Sequence, residues 1–155
     1  MKKLNIFLGI VLGVLVILVA YFFIGGTLGA SVSTASALAT DQADAYASIQ
    51  NILSSDSAPQ QFADAPDSAD DCTLIDVTIT LKNRGMFPAE WISMSVTPAS
   101  GDIAVYSLTG EGSNIASYSA GQVNLKLITT TPTETRTITI QYYVFGMLRS
   151  ITVTI

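Results

Sequence analysis

Two textures divide this chain. From Leu4 to Ile24 there are 21 residues without a charge, 16 of them Leu, Ile, Val or Phe. As a helix that run reaches about 31 Å, the depth of a bilayer's hydrocarbon core. Leu4, Phe7, Leu8, Val11, Leu15, Leu18, Phe22 and Ile24 stand as its membrane-anchor residues. Asn5, its polar residue, lies at one end, and Tyr21 at the other suits the interfacial aromatic belt. Gly9 and Gly13 form a GxxxG pair, a spacing that lets two membrane helices approach closely.

From Cys72 the period changes to two. Ile75, Val77, Ile79 and Leu81 alternate with Asp76, Thr78, Thr80 and Lys82, which predicts a half-buried strand over Thr73–Lys82. Further runs at Glu90–Thr97, Ile103–Leu108, Ile115–Ser119, Gln122–Thr129, Thr135–Val144 and Leu148–Ile155 bring the count to seven. Turn residues separate them and no helix pattern intervenes. The reading is an all-β, immunoglobulin-like antiparallel β-sandwich over 72–155. The Cys…Trp…Cys pattern of antibody domains is absent.

Between the two textures, Gly25-Gly26-Thr27-Leu28-Gly29-Ala30 reads as a flexible exit, so the anchor and exit occupy 1–30. Residues 31–71 read as a stalk with one short helix. Asp41 is placed to cap that helix and Asp44 to suit its dipole. Tyr46, Ile49 and Leu53 make one apolar stripe, expected to pack on the following domain or on a neighbouring copy of the chain. Asp56 to Asp71 holds two prolines and five aspartates in 16 residues and reads as an acidic linker. Asp67, Asp70 and Asp71 lack the ligand spacing and turn glycine of known calcium loops.

Charge sets direction. Lys2 and Lys3 precede the apolar run and the next basic residue is Lys82, so the N-terminus is expected in the cytoplasm and the rest outside. The expected location is the cell membrane, with a single pass. The rival is a cleaved secretory signal, with Ala35-Ser36-Ala37 as the small-residue site. Secretory apolar regions run about 7–15 residues, shorter than this one. Net charge is −5, which argues against nucleic acid and anionic lipid as partners of the exterior.

The chain has no histidine, hence no common general base, metal ligand or pH switch. Serines and threonines alternate along strands, where threonine's β-branch is favoured, and nothing activates them. Glu90, Asp102, Glu111 and Glu134 fall at strand ends and turns and read as solvated charges. No catalytic, cofactor or metal site is expected, and no small-molecule substrate. Cys72 is the single cysteine, preceded by Asp70 and Asp71, which raise a thiol's pKa rather than activate it. Trp91 has two readings, a cap on one end of the core or an exposed contact for a partner. Partner contacts are expected from the Asn83–Glu90 and Gly110–Asn114 loops or an exposed sheet edge, with Trp91, Arg84 and Phe87 as the candidate residues.

Leu81-Lys82-Asn83-Arg84-Gly85, Ala89-Glu90-Trp91-Ile92, Ser119-Ala120-Gly121-Gln122-Val123-Asn124-Leu125 and Thr137-Ile138-Thr139-Ile140-Gln141-Tyr142-Tyr143 carry a resemblance. They are similar to small Ig-like modules of bacterial and archaeal surface proteins, of CARDB type or late-embryogenesis-abundant type 2. The latter family has Asn-Pro where this chain has Asn83-Arg84. The resemblance implies a non-enzymatic, structural or adhesive envelope module. Its partners would be the lipid bilayer and an envelope protein or a second copy. The layout also resembles archaeal pilins, whose apolar helix forms a filament core. Their cleavage pair, a basic residue then Gly or Ala, is missing, because Leu4 follows Lys3.

Overall fold

The computed structural model describes residues 2–24 and 28–155, with the side chains of 3–21 and 28–155. Helix α1 spans Lys2–Ile24 and is followed by strand β1 (Leu28–Leu38), helix α2 (Ala43–Ser54) and the short β2 (Gln60–Gln61). Then come β3 (Thr73–Asn83), β4 (Glu90–Thr97), β5 (Asp102–Thr109), β6 (Ala120–Thr129), β7 (Thr137–Val144) and β8 (Met147–Thr154). The expected exit residues Gly25, Gly26 and Thr27 lie outside the described residues, as do the side chains of Phe22 and Ile24.

Two antiparallel sheets result, one in the order β1-β3-β6-β5-β2 and the other β4-β7-β8. The period-two residues meet between them. Val77, Ile79, Leu81, Val105, Val123, Leu125 and Leu127 of the larger sheet pack on Ile92, Met94, Val96, Ile138, Ile140 and Tyr142 of the smaller. Alternation has this consequence because successive side chains leave a strand on opposite faces.

Leu28–Leu38 corrects the expectation of an exit and stalk. It pairs with β3 in unbroken register, from Leu28 opposite Asn83 to Leu38 opposite Thr73. Its sequence LGASVSTASAL hides the strand because β1 is an edge with little to bury: only Leu28 is buried, and Val32 packs partly on the core. Residues 39–71 likewise pack onto the β-domain instead of extending from it. The Tyr46, Ile49 and Leu53 stripe of α2 lies as expected against the outer face of the larger sheet, on Leu74, Ala104 and Ile128. Asp41 does not cap α2. It sits in a short 3-10 turn (Ala39–Gln42), and neither helix start receives a side-chain cap. The strand expected at Ile115–Ser119 reduces to one bridge between Ala89 and Ile115, with Asn83 taking up the neighbouring carbonyls.

Asp102 is also corrected. It is buried and paired with buried Arg136, whose Nη2 stands 2.6 Å from its Oδ1. Arg136 also donates to Thr129 Oγ1 and to the carbonyls of Thr131 and Glu134 at 2.6 to 2.8 Å. The other Asp102 oxygen accepts from Ala99 N–H at 2.8 Å. This network closes the end of the sandwich where β1 finishes and β3 begins. Nothing in a one-dimensional charge pattern marks a turn carboxylate as buried when its partner is 34 residues away.

Candidate functional site

The opposite end of the sandwich lies nearest α1. Three residues separate Ile24 from Leu28. A fully extended link of that length reaches at most roughly 14 Å. Whatever path it takes, the base of the sandwich stays close to the end of the helix. Tyr21 Oη stands 3.4 Å from Tyr118 Oη across that junction.

Asn83 organises the base. It is buried, and its Nδ2 donates to the carbonyl oxygens of Phe87, Ile115 and Ala116 at 2.7, 3.2 and 3.2 Å. Its Oδ1 accepts from Gly85 N–H at 2.9 Å. One side chain thus ties the β3–β4 turn to the loop before β6. Leu28 N–H donates to Tyr142 Oη at 3.1 Å, which fixes the start of β1 to the smaller sheet. Phe145 and Gly146 form the β7–β8 turn, and the Phe145 ring meets Phe87 at 5.3 Å between centroids.

Three aromatic side chains project from this end in the left-handed backbone region. Trp91 (φ 53°) occupies a bulge in β4, Tyr118 (φ 55°) the loop before β6, and Phe145 (φ 52°) the hairpin turn. Bulky L-residues avoid that region, and holding one there costs about 1–3 kcal/mol. Trp91, Tyr118 and Phe145 are nevertheless 69%, 68% and 66% exposed, so burial in the core does not account for them. Asp56, the remaining non-glycine residue at positive φ among the described residues, is of a type that tolerates it. The surroundings hold the strain: Asn114 Oδ1 accepts from Trp91 N–H at 2.9 Å.

Met86, Tyr143 and Leu148 extend the apolar exposure around these rings. Lys82 and Arg84 line a cleft of about 310 Å³ with Asn83, Tyr118, Ser119 and Ala120. The acidic residues nearest in sequence to the other ends of the same strands are Asp41 after β1 and Asp70 and Asp71 before β3. The base therefore combines exposed rings with two cations, Lys82 and Arg84, in one cleft, and with the Glu90 carboxylate in a second cleft beside Trp91, Tyr143 and Gly146.

Of the expected contact residues, Trp91 and Arg84 are exposed and Phe87 half-buried, and all three come to this end. Trp91 is thereby an exposed side chain and not a cap on the core. Sequence reasoning missed Tyr118, Phe145 and Lys82. The signal for Phe145 was present: a two-residue hairpin turn favours Asn-Gly, and this chain has Phe145-Gly146.

The expected anchor residues Leu4, Phe7, Leu8, Val11, Leu15 and Leu18 are all exposed, and the space beside Gly9 and Gly13 is open. Lys3–Tyr21 is long and apolar enough to cross a membrane. Cys72 lies in the cluster under α2, its thiol pushed up by burial and by Asp71 and donating weakly to Ser68 O. Among the described residues, no group of His, Cys, Asp or Glu is placed to hold a metal ion.

No family model matches the chain, and no curated protein does. Several solved structures are similar to parts of it. The GAE domain of yeast GGA1 is 14% identical over 53% of this chain and 77% of that one, with a TM-score of 0.43. The GAE domain of GGA2p from Saccharomyces cerevisiae is 7% identical over 62% and 82%, at 0.42. A Bordetella pertussis protein assigned as ApaA is 13% identical over 84% and 93%, at 0.47.

Proposed function

We propose that this chain is a single-pass membrane protein that holds an immunoglobulin-like sandwich at the outer surface of the cell membrane. Its role is structural or adhesive, through binding to another envelope protein. The observation that carries the reading is α1: its described side chains are exposed, with Tyr21 alone among them meeting the β-domain at Tyr118, and its length and apolarity match a bilayer. A solvent-exposed helix of this composition needs lipid or other helices around it.

Two details of the fold bear on the rivals. Cleavage at Ala35-Ser36-Ala37 would cut inside β1, where these residues pair with Asp76, Ile75 and Leu74. That would strip an edge strand from the sheet. The filament alternative rests on an apolar helix continued by a polar helical extension. Here β1 follows α1 after three residues, and α2 lies against the sheet instead of extending α1. Both details favour the retained anchor.

Intact mass of membrane-extracted protein, together with flotation on vesicles, tests the proposal. Full-length protein that floats with lipid is the expected result. Loss of about three residues with sedimenting fibres would establish the filament, and loss through Ala37 a secreted domain.

A further inference from the structure

We infer that the base of the sandwich is itself a membrane-contact surface, which seats the domain on the headgroup layer of the leaflet that α1 leaves. This rests on the anchor reading above and adds to it: an anchor alone permits a domain that swings free. Four observations converge. The short link holds the base near the end of α1. The base presents Trp91, Tyr118 and Phe145, and Trp and Tyr are the residues that partition to the lipid–water boundary. Lys82 and Arg84 stand in the cleft beside Tyr118, suited to lipid phosphate, with Glu90 in the separate cleft beside Trp91. And Tyr21, at the interfacial end of α1, reaches Tyr118, so the helix's own aromatic belt continues into the domain's.

The backbone adds the reason to seek a function here at all. Three separate turns each hold a large exposed ring in a conformation that glycine or asparagine adopts more cheaply. Their shared property is position, at the end facing the helix exit. A flat lipid boundary accepts rings from several loops without shape complementarity. Lipid phosphate matches the two cations, although the exterior as a whole is acidic.

Trp91 is the sole tryptophan, so its fluorescence reads this surface directly. The full chain is reconstituted in phosphatidylcholine vesicles, floated, and compared with the detergent-solubilised protein. Floated protein is expected to show emission shifted to shorter wavelength, loss of intensity with lipids brominated high on the acyl chain, and protection from aqueous acrylamide. These effects should be independent of protein-to-lipid ratio. The paired change Tyr118→Ser with Phe145→Ser leaves Trp91 in place and should restore much of the acrylamide access. The changes Lys82→Gln and Arg84→Gln should weaken the bromine effect without touching an aromatic ring. Protein that floats while Trp91 stays open to acrylamide and blind to brominated lipid overturns this inference and leaves the anchor standing. Shielding that grows with protein density, without bromine quenching, assigns the surface to a second copy and also overturns it. Protein that fails to float overturns the anchor reading and this one together.

Discussion

Replacing Arg136 by leucine removes the cation from a closed site. Both side chains of the Arg136–Asp102 pair are almost fully buried. The substitution leaves the Asp102 carboxylate with the Ala99 N–H as its remaining partner, takes the Arg136 donor from the Glu134 carbonyl, and leaves the Thr131 carbonyl with the Glu134 N–H. Removing one member of a buried pair costs about 3–5 kcal/mol, chiefly because the survivor's charge stays desolvated. Domains of this size are stable by about 5–15 kcal/mol, so the loss is a large share. Buried Cys72 supplies the assay: pulse labelling of its thiol in increasing urea reports opening of the fold. With a urea dependence of about 2 kcal/mol per molar, the midpoint should fall by roughly 2 M. Lys126→Gln is the control, since Lys126 meets Asp76 at 3.4 Å with both side chains half exposed. Such a pair contributes under about 1 kcal/mol, a shift of no more than roughly 0.5 M. Replacing both Arg136 and Asp102 by apolar residues should recover part of the loss. An Arg136→Leu midpoint no lower than that of Lys126→Gln would refute the reasoning, because the site would then be wet.

Asn83→Ala removes four hydrogen bonds at the base and should cost about 2–3 kcal/mol in the same assay, with faster exchange of the amides of the 84–89 turn. Trp91→Asn should raise the midpoint, by about 1 kcal/mol in stability, because asparagine tolerates the positive φ and the exposed ring packs little. Burial, with a smaller push from Asp76, lifts Tyr106 from its ordinary 10.0 to about 12. The unfolded chain therefore sheds this proton first, and stability should fall as pH rises from 10 through 12. Tyr106→Phe should flatten that fall, measured as the urea midpoint against pH.

The strands legible in the sequence are those that bury one face. Ile75 to Leu81 and Ile138 to Val144 alternate because each second residue enters the core. β1 was illegible for the same reason, since an edge strand of Ala, Ser and Thr has nothing to alternate. The α2 stripe announced itself through Tyr46, Ile49 and Leu53, yet what it packs on depends on Leu74 and Ile128, which sit on the face opposite the main core. Asp102 and Arg136 were legible as charges and illegible as a pair, because fold closure alone brings them together. Of the base, the sequence showed Trp91, Arg84 and Phe87 on or beside one loop. It did not show that Tyr118 and Phe145 arrive from two other turns.

Those two arrivals separate contact from packing. A ring that fills a core is selected by volume, and its backbone can stay in an ordinary region because the strand beneath it is ordinary. Tyr142 is such a ring, fully buried on a regular strand. Trp91, Tyr118 and Phe145 have the reverse character: exposed side chains on strained backbone. Backbone strain alone favours Asn or Gly at these positions, and the proposed contact with the headgroup layer gives the exposed rings a role. Because the link to α1 is short, the proposed contact lies where the helix meets its surroundings. The same geometry orders the consequences of mutation. Changes at Arg136, at the far end, should weaken the fold and leave its seat unchanged, whereas Trp91→Asn should strengthen the fold while weakening its hold on the surface beneath it.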